Sequence, residues 1–129
     1  MEERKNFNST KVPRTNPVFP QAVITGNLIF LSGTVGIDSS TGKLISNNFE
    51  EQAIQAFTNV KTILEEAGSS INKIVKTTIF MVAGHDNDFK IINKVYSDFF
   101  PENAPARSAP QVMPFPGGIL ISIECIAVL

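Results

Sequence analysis

The side chain best suited to chemistry in this chain is Arg107, at the start of a predicted strand. It lies between Pro105 and Pro110, and these two prolines stiffen the approach to the strand. A planar guanidinium on a stiff segment suits bidentate binding of a carboxylate. The residues alone favour the plainer alternative, an ordinary ion pair at a strand end. Both interpretations therefore stay open at this point.

Further candidate residues lie in or beside apolar strands. Ser122 and Glu124 interrupt the last predicted strand, and Glu124 could act as an acid or base if it is partly buried. A salt bridge across a subunit interface fits Glu124 at least as well. Ser32 and Gly33 could present a hydroxyl and an approachable backbone, although an ordinary turn explains them without any function. Cys125 falls on an apolar face, which predicts a small buried hydrophobe rather than a nucleophile.

The composition excludes several classes of function. One cysteine and one histidine leave no ligand set for a structural zinc site, and the chain has no glycine-rich phosphate loop. We therefore expect no metal and no cofactor. The net charge of -1 disfavours nucleic acid and anionic membranes as partners. No apolar run approaches the ~18–20 residues that span a bilayer, and no targeting segment is evident, so we expect a cytoplasmic protein.

The length of 129 residues predicts one domain, residues 1–129, in which residues 1–16 form an irregular N-terminal arm. The mean hydropathy of +0.08 is high for so small a soluble chain. An apolar surplus on a small chain indicates burial against a copy of itself.

Turn residues and periodicity predict six strands and two helices. The strands are predicted at residues 22–24, 28–31, 34–37, 74–82, 107–112 and 119–129, and the helices at residues 49–67 and 86–100. Asn48 and Glu51 have capping-box spacing before the first helix, and Gly68 is a natural stop after it. The order β-β-β-α-β-α-β-β predicts an α+β domain with both helices on one face of a mixed sheet.

The last strand predicts how its two faces are covered. Side chains alternate, so one face is wholly apolar and is expected to lie under the helices; it comprises Ile119, Ile121, Ile123, Cys125, Ala127 and Leu129. The other face, with Ser122 and Glu124, is still mostly apolar. Two helices cannot cover both faces of a sheet, and a partner subunit is the economical cover for the second.

Several segments of the chain resemble the YjgF/RidA family in order and content. They are G-N-L-I-F-L-S-G at 26–33, I-V-K-T-T-I-F at 74–80, N-K-V-Y-S-D-F-F at 93–100, P-A-R-S at 105–108 and I-E-C-I-A-V at 123–128. The resemblance covers about residues 17–129. It implies a chorismate-mutase-like fold with a six-stranded sheet, assembled as a homotrimer with ligand clefts between subunits. Characterised RidA members hydrolyse 2-imino or enamine acids to 2-keto acids and ammonia without a cofactor.

The resemblance also implies roles for individual residues. The arginine of the P-A-R-S motif binds the substrate carboxylate in this family, and here it is Arg107. The family's catalytic glutamate falls on Ser122, two residues before Glu124, and its tyrosine falls on Phe19, which has no hydroxyl. The expected substrate-binding positions are Arg107, Ser32, Gly33, Asn93, Ala109 and Phe19. The expected catalytic positions are Arg107 with Ser122 or Glu124.

Three functions follow from these expectations. The first is a trimeric imine deaminase that acts on a small 2-imino acid. The second is a trimer that binds a small 2-keto acid without turnover, because Ser122 and Phe19 depart from the family pattern. The third is a ribonuclease or translation inhibitor, as some relatives have been described, although the near-neutral charge gives RNA little to hold.

Overall fold

The computed structural model describes residues 3–129 and contains two helices and a mixed sheet of seven strands. The helices are α1 (Phe49–Glu66) and α2 (Lys90–Phe99). The strands are β1 (Arg4–Phe7), β2 (Ala22–Thr25), β3 (Leu28–Thr34), β4 (Ile74–Val82), β5 (Ala106–Ser108), β6 (Gln111–Val112) and β7 (Ile121–Val128). The sheet order is β1-β2-β3-β7-β4-β5, and β6 continues beside β4 after β5. Strands β5 and β6 run parallel to β4, and the other pairs are antiparallel. The α+β class and the two helices are confirmed.

The predicted alternation of the last strand is confirmed between residues 121 and 128. The side chains at 121, 123, 125 and 127 are at most 3% exposed and pack into the core beneath the helices. Ser122, Ile126 and Val128 are half-buried on the opposite face, where Phe30 of β3 is 38% exposed. The strand itself begins at Ile121 rather than at 119. We call the side of the sheet opposite the helices the open face.

The sheet contains one strand that was not predicted, and one predicted strand is divided in two. The segment 1–16 was expected to be irregular, but β1 pairs with β2 as an edge strand. Its residues are mostly exposed and carry no apolar alternation, so pattern analysis has nothing to detect. The predicted strand 107–112 is divided into β5 and β6 around Ala109 and Pro110, because a proline has no N–H for a sheet ladder.

The predicted strand 34–37 is also wrong, because the chain leaves the sheet after Thr34. Val35 and Ile37 are buried, which accounts for their apolar character. Their carbonyl groups accept hydrogen bonds of 3.0 and 2.9 Å from the side-chain amide of Asn59 on α1. A buried helix amide thus replaces the neighbouring strand that the sequence pattern suggested.

A side-chain oxygen accepts backbone N–H groups at the start of each helix. Asn48 accepts a 2.9 Å hydrogen bond from the N–H of Glu51, as the capping spacing predicted. Helix α2 begins at Lys90 rather than at 86, because Phe89 has a left-handed backbone with φ of 64°. Asp86 instead accepts hydrogen bonds from the N–H groups of Ile91 and Ile92 at 3.0 and 2.8 Å. Within residues 3–129, no helix is long and apolar enough to cross a membrane.

Gln52 on α1 anchors the loop that leads into β7. Its side chain is fully buried and donates to the carbonyl groups of Ser46 (2.8 Å) and Gly118 (3.1 Å). Its Oε1 accepts the N–H of Leu120 at 2.8 Å. One amide therefore satisfies three backbone groups that flank the start of β7, and leaving such groups unpaired is costly.

We expect Gln52→Met to lower the free energy of unfolding by about 2–4 kcal/mol, because methionine fills the space but pairs with none of the three backbone groups. Chemical denaturation at one fixed protein concentration measures the loss. Lys61→Met, at an exposed position of the same helix, is the matched control and should change stability by less than about 0.5 kcal/mol. Equal effects of the two substitutions would contradict the role given to Gln52.

Candidate functional site

Arg107 lies in the edge strand β5, on the helix side of the sheet. It is paired with Thr77 of β4, whose hydroxyl contacts Tyr96 of α2. The Arg107 guanidinium carbon lies 4.9 Å from the centroid of the Tyr96 ring and over its face, a distance typical of a cation–π contact. In residues 3–129, the ion pairs are those of Lys90 and Lys94, so the ion pair that the residues alone favoured for Arg107 is not found there.

Tyr96 is the residue that sequence analysis undervalued. It lies within the predicted helix 86–100 and in the family-like segment 93–100, and no pattern in the sequence marks its hydroxyl. That hydroxyl lies 2.9 Å from the Thr77 Oγ1 and donates to the carbonyl of Pro105 at 3.2 Å. Burial raises the pKa of Tyr96, while the Thr77 hydrogen bond and the Arg107 charge act in the opposite direction. The phenol therefore stays neutral, and able to donate, throughout the neutral pH range.

Ser122 and Glu124 lie on the open face, away from Arg107. Glu124 is exposed rather than partly buried, and Ser122 is half-buried. Strand β7 aligns Ser122 with Phe80 and Glu124 with Thr78, which are open-face residues of β4. One chain does not bring these two candidates together with Arg107.

Ser32 and Gly33 occupy an irregularity in the pairing of β3 with β7, between Leu31 and Thr34. The Ser32 hydroxyl donates to the carbonyl of Pro20 at 2.7 Å, so its oxygen is left as an acceptor. A Cβ atom at position 33 would lie 2.5 Å from the Ser122 Oγ. Glycine at position 33 thus lets the Ser122 hydroxyl pack directly against the backbone, and these two predicted site residues do meet.

Phe19 lies beside the same irregularity. With Ser32 and Gly33 it lines a small pocket of about 30 Å³, which is more than the ~10–15 Å³ that one water molecule requires. Arg14 holds this loop, because its Nη2 donates to the carbonyl groups of Phe19 (2.8 Å) and Pro17 (3.2 Å). Phe19 is 42% exposed. The pocket shares its wall with residues of the open face.

A larger depression of about 210 Å³ lies on the open face itself. Phe30 and Ile126 provide apolar walls, and Lys76, Thr78 and Glu124 provide polar groups. The Lys76 Nζ donates to the Ser108 hydroxyl at 3.1 Å. The lining of this depression therefore carries one cation and one carboxylate.

The two remaining candidates belong to the side of Arg107. Asn93 is exposed on α2, one turn before Tyr96, and Ala109 follows Arg107 by two residues between β5 and β6. The predicted site residues therefore form two groups in one chain. Arg107, Asn93 and Ala109 lie near α2 and the β5 edge, whereas Phe19, Ser32, Gly33, Ser122 and Glu124 lie at or near the open face.

Cys125 does not supply a nucleophile. Burial, helped by the charge of Glu124, raises the pKa of the Cys125 thiol to about 12, and the thiolate is the reactive form. The interpretation of this residue as a small buried hydrophobe is confirmed. Within residues 3–129, no group of three or more His, Cys, Asp or Glu side chains is placed to hold a metal ion.

Both the sequence and the fold of this chain match a known family. The family model described as "Endoribonuclease L-PSP" matches residues 10–129. The chain belongs to this family, which is also called YjgF/RidA.

Individual relatives agree along most of the chain. The chain is 38% identical to the human 2-iminobutanoate/2-iminopropanoate deaminase, over 97% of this chain and 90% of that protein. It is 41% identical to a RutC family protein of Pyrococcus abyssi, over 91% of each chain.

Solved structures show the same fold. A putative endoribonuclease L-PSP from Entamoeba histolytica has a TM-score of 0.91 at 36% identity, covering 98% of this chain and 100% of that one. The structure of E. coli TdcF with bound serine has a TM-score of 0.87 at 34% identity, covering 97% and 98% of the two chains. The family resemblance read from the sequence motifs is confirmed.

Proposed function

We propose that the protein hydrolyses small 2-imino or enamine acids to 2-keto acids and ammonia, with Arg107 binding the substrate carboxylate. The observation that carries this proposal is the half-buried Arg107 guanidinium, which stacks on Tyr96 and has no carboxylate partner in the described residues. A positioned guanidinium without an internal partner is suited to binding an anionic ligand. Relatives named as imine deaminases support the choice of ligand.

The proposed site needs more than one copy of the chain. Arg107 faces the helix side at the sheet edge, whereas Ser122 and Glu124 lie on the open face. In the proposed homotrimer, the open face of each copy is covered by its neighbours, and a cleft between subunits joins Arg107 of one copy to the Ser32, Gly33 and Ser122 group of the next. The apolar character of the open face supports such burial.

The proposed reaction requires little beyond positioning. Water adds its oxygen to carbon 2 of the C=N bond, and a proton reaches the nitrogen to give a carbinolamine. The C–N bond then breaks and its electron pair leaves with the nitrogen, which receives the hydroxyl proton, so that ammonia departs and the carbonyl group forms. Ser122 or Glu124 would position the water, while the backbone near Gly33 and Ala109 orients the substrate, with Phe19 and Asn93 at the cleft walls. Correct placement alone supplies a large part of such a rate enhancement.

A second function, binding of a 2-keto acid without turnover, is favoured by one specific observation. Ser122 occupies the position of the family's glutamate, and its hydroxyl packs on Gly33. A serine hydroxyl does not take up a proton at neutral pH as a carboxylate can. Loss of a general acid or base costs about 10²–10⁴ in rate, whereas carboxylate binding through Arg107 would remain.

Arg107→Ala should abolish the acceleration of ammonia release when the protein is added to a threonine dehydratase reaction. It should also weaken binding of 2-ketobutyrate by at least about 30-fold, because a bound carboxylate then has no partner. Lys61→Ala, at an exposed position of α1, is the matched control and should behave as wild type. Wild-type protein that neither accelerates the reaction nor binds 2-ketobutyrate would refute both functions.

Ser122→Glu distinguishes imine hydrolysis from binding of a 2-keto acid without turnover. If the wild type only binds 2-ketobutyrate, this substitution should raise imine hydrolysis by about 10²–10⁴, because it restores a carboxylate where water must be activated. Ser122→Gln introduces a side chain of similar size to glutamate but without charge, and it should not raise imine hydrolysis. An already active wild type in which Ser122→Glu brings no gain would favour the enzyme.

Ile126→Glu should convert the assembled protein into a 14.1 kDa monomer, because three carboxylates would be buried in the proposed interface without partners. Ile54→Glu places the same charge at a 44% exposed position on the outer side of α1 and should leave assembly intact. Analytical ultracentrifugation measures both masses. A trimer that tolerates Ile126→Glu would show that the open face is not the interface.

A further inference from the structure

We propose that Tyr96 is a positioning residue that holds the Arg107 guanidinium ready to bind a substrate carboxylate. The inference rests on the proposed function, because it takes Arg107 as the group that binds the carboxylate. Tyr96 is only 7% exposed, so it acts through Arg107 rather than by touching the ligand.

The Tyr96 ring supports the cation without using its hydrogen-bond donors. The guanidinium carbon of Arg107 lies over the ring at 4.9 Å from its centroid. The arginine side chains that donate hydrogen bonds within residues 3–129 are those of Arg4 and Arg14. The N–H groups of Arg107 therefore stay available for a ligand, and the ring face is what limits the movement of this long side chain.

The ring cannot move aside, because the aromatic core fixes it. Phe100 packs against it with ring centroids 4.7 Å apart, and Phe57 meets it edge-on at 5.9 Å. Side chains in such cores hold defined rotamers. The support under Arg107 is therefore as rigid as the core itself.

The Tyr96 hydroxyl also fixes the backbone that carries Arg107. A carbonyl oxygen only accepts, so the single hydroxyl proton of Tyr96 goes to the carbonyl of Pro105. The Thr77 hydroxyl must then donate to the Tyr96 oxygen in the 2.9 Å contact between them. The chain of hydrogen bonds runs from the central strand β4 through α2 to the residue that enters β5, two positions before Arg107.

The ring and the hydroxyl of Tyr96 together reduce the conformational entropy that the Arg107 side chain loses when it binds a ligand. An arginine side chain that is free in solvent loses much of its rotamer freedom when it binds a carboxylate. Arg107 has already lost part of that freedom in the folded protein, so we expect tighter binding of carboxylates than an unsupported arginine would give. The effect should be specific to the charged end of the ligand.

The experiment measures binding of 2-ketobutyrate and of its uncharged amide by calorimetry, in the full-length protein. Tyr96→Leu removes the ring and the hydroxyl, and should weaken 2-ketobutyrate binding by about 3- to 30-fold, the range of a cation–π contact. Affinity for the amide should change by less than about twofold. Tyr96→Phe restores the ring and should recover affinity to within about threefold of wild type. In the deaminase assay, the loss should fall on KM rather than on kcat.

Phe49→Leu is the matched control, because it also replaces a buried aromatic residue by leucine and lies on the other helix. It should lower the melting temperature without changing either affinity. If Tyr96→Leu does not fold, Tyr96→Met takes its place, because methionine fills the space without a ring: unchanged affinity for 2-ketobutyrate, or an equal change for the amide, would overturn the inference.

The outcomes also separate this inference from the proposed function. Loss of 2-ketobutyrate binding in Arg107→Ala, with unchanged binding in Tyr96→Leu, would overturn the positioning role and leave the function standing. No binding of 2-ketobutyrate by wild type would overturn both.

Discussion

The register of β7 between β3 and β4 is the constraint on which the rest of the structure depends. Ile121 and Ile123 are fully buried under the helices, and exposing these two side chains alone would cost about 3–6 kcal/mol. A slip of one residue would expose them and turn Glu124 into the core, where an unpaired carboxylate is still more costly. The burial of one face therefore dictates that Ser122 and Glu124 lie on the other. The same sheet then places Arg107, paired with Thr77, on the helix side.

Buried side-chain amides on α1 fix the position of backbone segments outside the sheet. Asn59 satisfies the carbonyl groups of Val35 and Ile37, and Gln52 satisfies backbone groups on both sides of the loop before β7. Gly36 is needed for this packing, because a Cβ there would lie 2.7 Å from the carbonyl oxygen of Gln52. The loops beside the candidate site are thus held by the helix rather than by strand pairing.

The elements that could be predicted from the sequence are those in which burial and periodicity agree. Helix α1 has an apolar stripe and a side-chain cap, and the last strand alternates strictly, so both were found. Residues 35–37 are apolar because α1 covers them, and from the sequence alone that burial cannot be distinguished from burial in a sheet. Strand β1 was missed because edge pairing uses backbone groups and leaves no apolar pattern.

The candidate site shows the same limit. Arg107 stands out by its residue type and its neighbouring prolines, and the family resemblance points to the carboxylate. The support from Tyr96 depends on a contact between α2 and β5, which no local pattern encodes. Residues 107 and 122 are 15 positions apart, yet their separation onto opposite faces follows only from the pairing of β4 with both neighbouring strands.

This separation has a consequence for how the site can vary. In the proposed function, carboxylate binding rests on Arg107 and the aromatic core beneath it, whereas positioning of the water rests on Ser122 or Glu124 of the open face. A substitution at 122 touches the backbone of Gly33 but none of the groups that support Arg107. The groups that support Arg107 therefore do not depend on which side chain occupies position 122. If the proposed roles hold, binding and turnover are separable properties of one scaffold.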